Sequence, residues 1–171
     1  MRTKIIMLIS VLLLMTLVGC KNVDDNKKLE VSPTFSLPVT FHDGTKGEYI
    51  LIGKEGKVGI LVGSGNEGEA VATKFIANQP NKYMWHFWGE EENISGVFKV
   101  VGVDEDGKEH PVLSFGNNAV WQYSDVSISP HNGADSHIPS NMMFPTSELW
   151  KLKKYFNDQL FEELVINVEE S

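Results

Sequence analysis

Cysteine is nearly absent from this sequence, which has one, Cys20, among 171 residues. One cysteine excludes an intramolecular disulfide and a zinc site built from thiolates. The longest apolar-rich segment covers residues 5–18, which is shorter than the roughly 20 residues that span a bilayer. The G-x-S-x-G motif of hydrolases is lacking, and no serine is flanked by a recognisable base motif. We therefore predict no catalytic residues and no enzymatic activity.

Basic residues are fewer than acidic ones, 15 against 23, and the formal net charge at pH 7 is −8. A chain of this charge is repelled by nucleic acids, by anionic lipid headgroups and by anionic wall polymers. We therefore predict no nucleic-acid partner, and we expect the acidity to serve solubility.

The N-terminus has the three-part pattern of a secretory signal peptide, with the cations Arg2 and Lys4 before the apolar segment 5–18. The segment ends in the letters LVGC at positions 17–20, which resemble the bacterial lipobox. That resemblance implies cleavage before Cys20 and a lipid such as palmitate on its sulfur. A free thiol or an intermolecular disulfide is the alternative for a lone cysteine in a secreted chain. We predict a protein anchored by lipid to the extracellular face of the cell membrane.

The chain is thus expected to have three parts: a signal peptide at residues 1–19, the lipidated cysteine with a tether at residues 20–32, and a domain at residues 33–171. The tether is polar, charged and free of aromatic residues, which is typical of a flexible linker. The remaining length suits one domain with its own core.

From residue 33 onward, short apolar or alternating runs are separated by glycine, asparagine, aspartate and proline. A spacing of about 8–12 residues between such runs predicts an all-β sandwich or barrel. Pro38 places the first run at a sheet edge, and residues 54–57 predict a hairpin between the second and third runs. The runs cover residues 35–41, 49–53, 58–62, 82–88, 96–103, 111–115 and 124–129.

The C-terminal segment allows two interpretations. The leucines and Phe156 between residues 149 and 164 fit a helical spacing. Leu164, Ile166 and Val168 instead alternate as in a strand, and they follow the turn pair at residues 157–158. We predict a terminal hairpin with strands at residues 149–156 and 160–168, and the helix is the alternative.

Three segments of this chain resemble a family of uncharacterised lipoproteins from Gram-positive bacteria. They read KYMWHFWG at residues 82–89, HIPSNM at residues 137–142, and WxLxxYF, LF and VIxV within residues 150–168. The extracellular part of those proteins is thought to be immunoglobulin-like. The resemblance therefore implies an immunoglobulin-like antiparallel β-sandwich. The family has no established activity, so it implies no catalytic residue.

Residues 63–68 read GSGNEG and match the form G-x-G-x-x-G of a dinucleotide-binding loop. Such a loop presents a helix N-terminus to a pyrophosphate, and the carboxylates of Glu67 and Glu69 would repel that group. No further βα units follow in the sequence. We expect an inter-strand loop here and no cofactor.

Histidines are compactly clustered only at residues 131–137, where His131, Asp135 and His137 share one loop. Two imidazoles and a carboxylate can ligate zinc or copper, and His86 is the natural further ligand from a rigid element. The alternative is a solvated loop whose polar side chains bond to its own backbone.

The densest aromatic patch consists of Trp85, His86, Phe87 and Trp88. On a strand, Trp85 and Phe87 face one side while His86 and Trp88 face the other. We expect Trp85 and Phe87 in the core, which leaves the other pair as an exposed platform for a sugar ring or a peptide. Both faces would be buried if a loop covered the strand.

The leading hypothesis is a lipid-anchored, extracellular β-sandwich that acts as a non-enzymatic binding or interaction module for a protein or carbohydrate. The second hypothesis is a metal-binding envelope lipoprotein that uses the loop of His131, Asp135 and His137. A wall-modifying hydrolase is disfavoured because the sequence shows no catalytic constellation.

Overall fold

The computed structural model describes residues 29–127 and 129–171. The predicted signal peptide, Cys20 and most of the predicted tether lie outside the described residues. A short 3-10 helix covers Glu91–Asn93. The strands of the described residues are β1 Thr34–Thr40, β2 Lys46–Lys54, β3 Val58–Asn66, β4 Phe75–Ile76, β5 Asn81–Phe87, β6 Gly96–Val103, β7 Glu109–Pro111, β8 Leu113–Phe115, β9 Asn118–Val120, β10 Gln122–Val126, β11 Ser136–Met142, β12 Leu149–Phe156 and β13 Gln159–Glu169.

These strands form two sheets. The first has the order β1-β2-β3-β5-β11-β8-β9, and each neighbouring pair is antiparallel. The second has the order β10-β6-β12-β13-β4, with β7 also paired to β6 and with β4 parallel to β13. The inner faces of the two sheets pack on each other, which confirms the predicted all-β sandwich. The immunoglobulin-like topology within this class stays a prediction.

The core is built by alternation, because successive side chains of a strand point to opposite faces. Trp85 and Phe87 of β5 are fully buried, which confirms their predicted place. The Phe87 ring lies 5.7 Å from the Phe98 ring and 5.1 Å from the Phe156 ring, measured between centroids, with edge-to-face geometry. Aromatic residues of both sheets therefore interlock at the centre of the sandwich.

The predicted C-terminal hairpin is confirmed. β12 and β13 pair antiparallel from Leu149 with Asn167 to Phe156 with Gln159. Asn157 and Asp158 form the turn, and both have positive φ values, 48° and 63°. A two-residue turn with two positive φ values matches the right-handed twist of the strands. The helical alternative for this segment is therefore wrong.

Three predicted segments differ from the structure. The run at residues 111–115 is not one strand, because the chain crosses from one sheet to the other at the buried Val112. β7 thus pairs with β6 in the second sheet, while β8 pairs with β11 in the first. The G-x-G-x-x-G segment is not wholly a loop either, since β3 continues through Asn66 and only its end forms a turn. The weak run at residues 124–129 lies slightly earlier, as β10.

The N-terminal end of the described chain is attached to the second sheet. The backbone N–H of Ser32 donates to the Val165 carbonyl oxygen over 2.8 Å, and the Val165 N–H donates to the Ser32 hydroxyl over 2.9 Å. Ser32 was predicted as the last tether residue, and it is already held by β13. Next to it, β1 with Pro38 forms an edge of the first sheet, as predicted. No helix in the described part of the chain is long and apolar enough to cross a membrane.

Candidate functional site

The aromatic patch at residues 85–88 does not form an exposed platform. Trp85, His86 and Phe87 are all fully buried, and Trp88 is half-buried. His86 and Trp88 do point to the outer face of the first sheet, as predicted, but the segment after β10 folds over them. The Trp88 indole N–H donates to the Gly133 carbonyl oxygen over 2.8 Å. The alternative with both faces buried therefore describes the structure, and the platform prediction is wrong for these residues.

The covering segment is held by a tight turn. His131 and Ala134 exchange two backbone hydrogen bonds of 3.1 Å and 3.0 Å, and between them Asn132 and Gly133 have φ values of 48° and 81°. This is the asparagine–glycine pair that favours two-residue turns. This turn therefore holds residues 131–134 in place beside Trp88.

Three histidine rings lie close together where this segment contacts the first sheet: His131 of the turn, His86 of β5 and His137 of β11. The His131 ring centroid lies 4.7 Å from that of His137 and 5.8 Å from that of His86. Among the residues that the structure describes, neither ring nitrogen of His86 has a hydrogen-bond partner. Burial, and secondarily the neighbouring His131, lowers the pKa of His86 to about 4. Burial also lowers the pKa of His131, with His137 adding to the effect. Burial thus favours the uncharged forms of His86 and His131.

The predicted metal set is not assembled. The carboxylate of Asp135 binds the backbone instead, because it accepts a hydrogen bond of 2.9 Å from the Gly89 N–H. The Nδ1 atom of His137 lies 2.6 Å from the Ser129 carbonyl oxygen. No group of three or more His, Cys, Asp or Glu side chains in the described residues is placed to hold a metal ion. The geometry therefore gives no support to the metal-binding hypothesis.

A concave surface lies elsewhere, at the sandwich edge where β8, β9 and β11 of the first sheet meet β10 of the second. It is a groove of about 670 Å³, within the usual size range of ligand sites. Sequence reasoning missed it. Its lining residues are Lys82, Ser114, Phe115, Gly116, Val120, Gln122, Tyr123, Ser124, Pro139, Ser140 and Asn141.

Tyr123 joins the two sheets inside this groove. Its hydroxyl donates to the Ser114 carbonyl oxygen over 2.9 Å and lies 3.3 Å from the Asn141 backbone nitrogen, which donates to it. Burial raises the pKa of this phenol above its ordinary value, against the opposing effect of its backbone hydrogen bonds. The hydroxyl therefore stays protonated and fixes β10 against β8 and β11.

Phe115 gives the groove an exposed apolar rim. It ends β8 at the tip of the β8–β9 hairpin, and 75% of its surface is exposed. Trp121, which is 42% exposed, lines an adjoining depression of about 440 Å³ together with Tyr155. Gln122 lines both cavities, so they adjoin each other at this residue. Trp121 and Tyr123 are close in sequence, but their position beside the groove depends on the pairing of strands that are distant in sequence.

The groove and the Ser32 attachment lie at opposite edges of the sandwich. β1, which follows Ser32, is one edge strand of the first sheet, and the groove-lining strands β5, β11 and β8 lie three, four and five strand positions away. Neighbouring strands are about 4.8 Å apart, so these separations run from about 14 to 24 Å. We call the cavity lined by Phe115 and Gln122 the distal groove.

The described lining of the distal groove contains hydroxyl, amide and amine groups together with apolar rings, and it includes no histidine, cysteine or carboxylate. These groups can donate and accept hydrogen bonds, and they can cover apolar parts of a ligand. The arrangement suits the binding of a molecule that has both polar and apolar surface.

Comparison with known proteins places the chain in a family. Residues 26–166 match the family model described as Domain of unknown function (DUF4871). The chain belongs to this family. The match includes both sheets almost completely, and it confirms the coarser part of the resemblance, an uncharacterised family. No curated protein matches the chain.

One solved structure supports the fold. It is an X-ray crystal structure of a candidate lipoprotein from Bacillus anthracis, which is 22% identical in sequence and superposes with a TM-score of 0.60. The superposition covers 82% of this chain and 86% of that chain. At this identity the similarity shows a shared fold.

Proposed function

We propose that this protein is a lipoprotein of the extracellular membrane face and that it acts as a binding module through the distal groove. One observation carries the proposal: the groove lies at the edge opposite Ser32, through which the domain is linked to Cys20. A lipid on Cys20 would keep the Ser32 edge nearest the bilayer. The groove would then face away from the membrane, toward ligands outside the cell.

Lipid is the anchor that suits this chain. The LVGC motif at residues 17–20 supports acylation of Cys20, and the Bacillus anthracis protein of similar fold is itself described as a candidate lipoprotein. Burial of an acyl chain contributes about 0.8 kcal/mol per methylene, and two or more chains give stable attachment. The net charge of −8 opposes binding to anionic headgroups. Attachment is therefore proposed to come from the lipid and not from the protein surface.

Binding is proposed here instead of catalysis because of the chemistry of the groove. General acid–base catalysis uses side chains that exchange protons near neutral pH, most often histidine or carboxylates. The polar side chains of the described lining are those of Ser114, Gln122, Tyr123, Ser124, Ser140 and Asn141, with Lys82 as the one cation among them. We expect the ligand to be released unchanged.

The anchor is tested by the variant Cys20→Ala, with Asn22→Ala as the matched control next to the motif. Cells that produce each form are separated into membrane and soluble fractions. We expect the control to stay in the membrane fraction and Cys20→Ala to lose this attachment. Equal retention of both forms would refute lipid anchoring.

The groove is tested with the mature chain carrying Cys20→Ser, labelled with a fluorophore and added to envelope fragments of the producing bacterium. We expect saturable binding that Phe115→Ser weakens by roughly tenfold or more, as for an interface hot spot. Val71→Ser is the control, since Val71 is 76% exposed and lies outside the groove. Equal binding by the two variants would show that the distal groove is not the site.

A further inference from the structure

We infer that the ligand of the distal groove is a neutral glycan chain. This inference rests on the proposed function and specifies its ligand class. It follows from three properties of the groove: its strand edges are blocked against a peptide strand, its polar groups are hydroxyls and amides with Lys82 as the one cation of the described lining, and the exposed Phe115 ring lies at its rim.

The strand edges that border the groove are poorly suited to bind an extended peptide. Peptides that add to a sheet edge need a regular row of free backbone donors and acceptors. β11 is paired with β8 only at Asn141 and Met142, and Pro139 in its open part has no N–H. The register of β10 shifts between Tyr123 and Val126, and β9 is three residues long. Short strands, bulges and proline are the usual means of blocking edge pairing.

Recognition must therefore come mainly from side chains, and those available carry hydroxyl and amide groups. Ser114, Gln122, Ser124 and Asn141 line the groove. An amide both donates and accepts hydrogen bonds, and a serine hydroxyl does the same. Sugar hydroxyl groups have the same double capacity. A row of sugar rings can therefore satisfy these side chains without any buried charge.

The apolar component of the groove has the shape that a sugar ring needs. A pyranose presents C–H groups on its faces and hydroxyls around its rim, so it covers a flat apolar ring while its polar groups stay paired. Phe115 offers such a ring in the main cavity, and Trp121 offers another in the adjoining one. In that second cavity the amine of Lys99 lies 5.0 Å from the centroid of the Tyr155 ring, and Glu109 is also part of the lining. Because Gln122 borders both cavities, we expect one chain to contact both exposed rings.

The charge of the groove selects against cationic ligands. The chain has 23 acidic residues, and yet none of the described residues that line the main cavity is acidic, while Lys82 lies among them. A cationic ligand would bind more strongly to the acidic surface elsewhere on the domain than to this groove. The groove is thus complementary to a chain without positive charge.

The first test identifies the kind of molecule that is bound in the envelope. Fragments are treated with protease in one sample, and with periodate or glycoside hydrolases in another, before the labelled Cys20→Ser chain is added. We expect binding to survive the protease and to fall at least tenfold after glycan cleavage. Loss after protease alone would mean a protein partner, and binding that resists both treatments would mean a lipid or another polymer. Either result would overturn the glycan inference.

The second test measures charge preference with paired probes, neutral N-acetylglucosamine oligomers and their deacetylated, cationic counterparts, beside a panel of other neutral oligosaccharides. We expect at least one neutral oligosaccharide to bind, with an affinity that Phe115→Ser lowers roughly tenfold and that Val71→Ser preserves. The cationic oligomers should bind only weakly and with no dependence on Phe115.

If Phe115 is needed for envelope binding but no neutral oligosaccharide binds, the glycan inference fails and the proposed function stands. If Phe115 is not needed for envelope binding, the proposed function fails as well.

Discussion

The indole N–H of Trp85 donates a hydrogen bond to the hydroxyl oxygen of Ser140, and Nε1 lies 2.9 Å from Oγ. Both residues are buried and lie on the neighbouring strands β5 and β11. Ser140 also lines the distal groove. The largest core side chain and the groove are therefore connected by one buried hydrogen bond.

Replacing Trp85 with alanine should lower the free energy of unfolding by about 3 to 5 kcal/mol, the usual cost of removing a buried tryptophan. Ser140→Ala leaves the indole N–H without its partner and should cost about 1 to 3 kcal/mol. Urea unfolding of the two variants measures both values. An unchanged midpoint for Trp85→Ala would contradict the central position of this residue.

Lys154→Met should stabilise the domain. The Lys154 side chain is fully buried, and its Nζ lies 5.7 Å from the centroid of the Trp85 ring with no hydrogen-bond partner in the described part of the chain. Methionine fills a similar volume without a polar group, so we expect a gain of about 1 to 3 kcal/mol. Lys153→Met is the control, because this neighbour is partly exposed on the outer face and should change stability by less than about 0.5 kcal/mol. Destabilisation by Lys154→Met would show that the amine has a stabilising partner.

The same lysine makes stability depend on alkaline pH. Burial lowers the pKa of Lys154 well below its ordinary value, and the charges of Glu162 and Glu163 offset this only in part. Between this lowered pKa and the unfolded value of about 10, the unfolded chain binds more protons than the folded one. Stability should therefore rise as the pH approaches about 10, and Lys154→Met should remove this contribution to the slope. Parallel curves for the two proteins would contradict a lowered pKa at Lys154.

His86 should make the domain sensitive to acid. Its pKa is lowered to about 4 in the folded state, chiefly by burial, whereas an unfolded histidine titrates near 6.5. The unfolded chain binds the extra proton between these values, so stability is lost as the pH falls from 6.5 to 4. The loss from this residue should reach about 3 kcal/mol.

His86→Phe removes this titration and should flatten the acid limb of the curve of unfolding free energy against pH. His42→Gln, at an exposed turn, is the control that changes the histidine content without touching the cluster. The account of a buried, uncharged His86 would be wrong if both variants lost stability with acid as steeply as the unmodified protein.

Truncation tests the C-terminal hairpin. β13 lies between β12 and β4 and buries Leu164, Ile166 and Val168. A chain that ends at Phe156 should therefore be unfolded, with no cooperative melting transition and no native near-ultraviolet circular dichroism. A chain that ends at Glu169 lacks only the residues after β13, so it should have the same melting temperature as the full chain. A folded domain without β13 would show that this strand is an appendage.

The sequence was sufficient to predict those structural features for which several local sequence signals indicate the same structure. In β12 and β13 the alternation of apolar residues and the Asn157–Asp158 turn indicate the same hairpin, and both are local. Lys154 was the exception in this pattern. Its inward position follows from the alternation, but its burial depends on Trp85, which comes from another sheet.

The groove could not be predicted in this way, because its walls come together only through long-range pairing. Lys82, Phe115, Gln122 and Pro139 lie on four strands of both sheets. A usable signal existed at Phe115, since an aromatic residue directly before the Gly116 turn is placed at a hairpin tip. The side of the strand on which His86 lies was predictable, whereas its burial depends on how residues 129–135 fold back.

Hydrogen–deuterium exchange of the mature chain, with and without envelope fragments, tests the central claim that ligand is held in the distal groove. We predict slower exchange at residues 113–124 and 139–142 when the fragments are present, with no change at β1 and β2 near the Ser32 attachment. Phe115→Ser should remove the protection, and Val71→Ser should keep it. Protection confined to β1 and β2, or protection at the groove that persists in Phe115→Ser, would contradict the account.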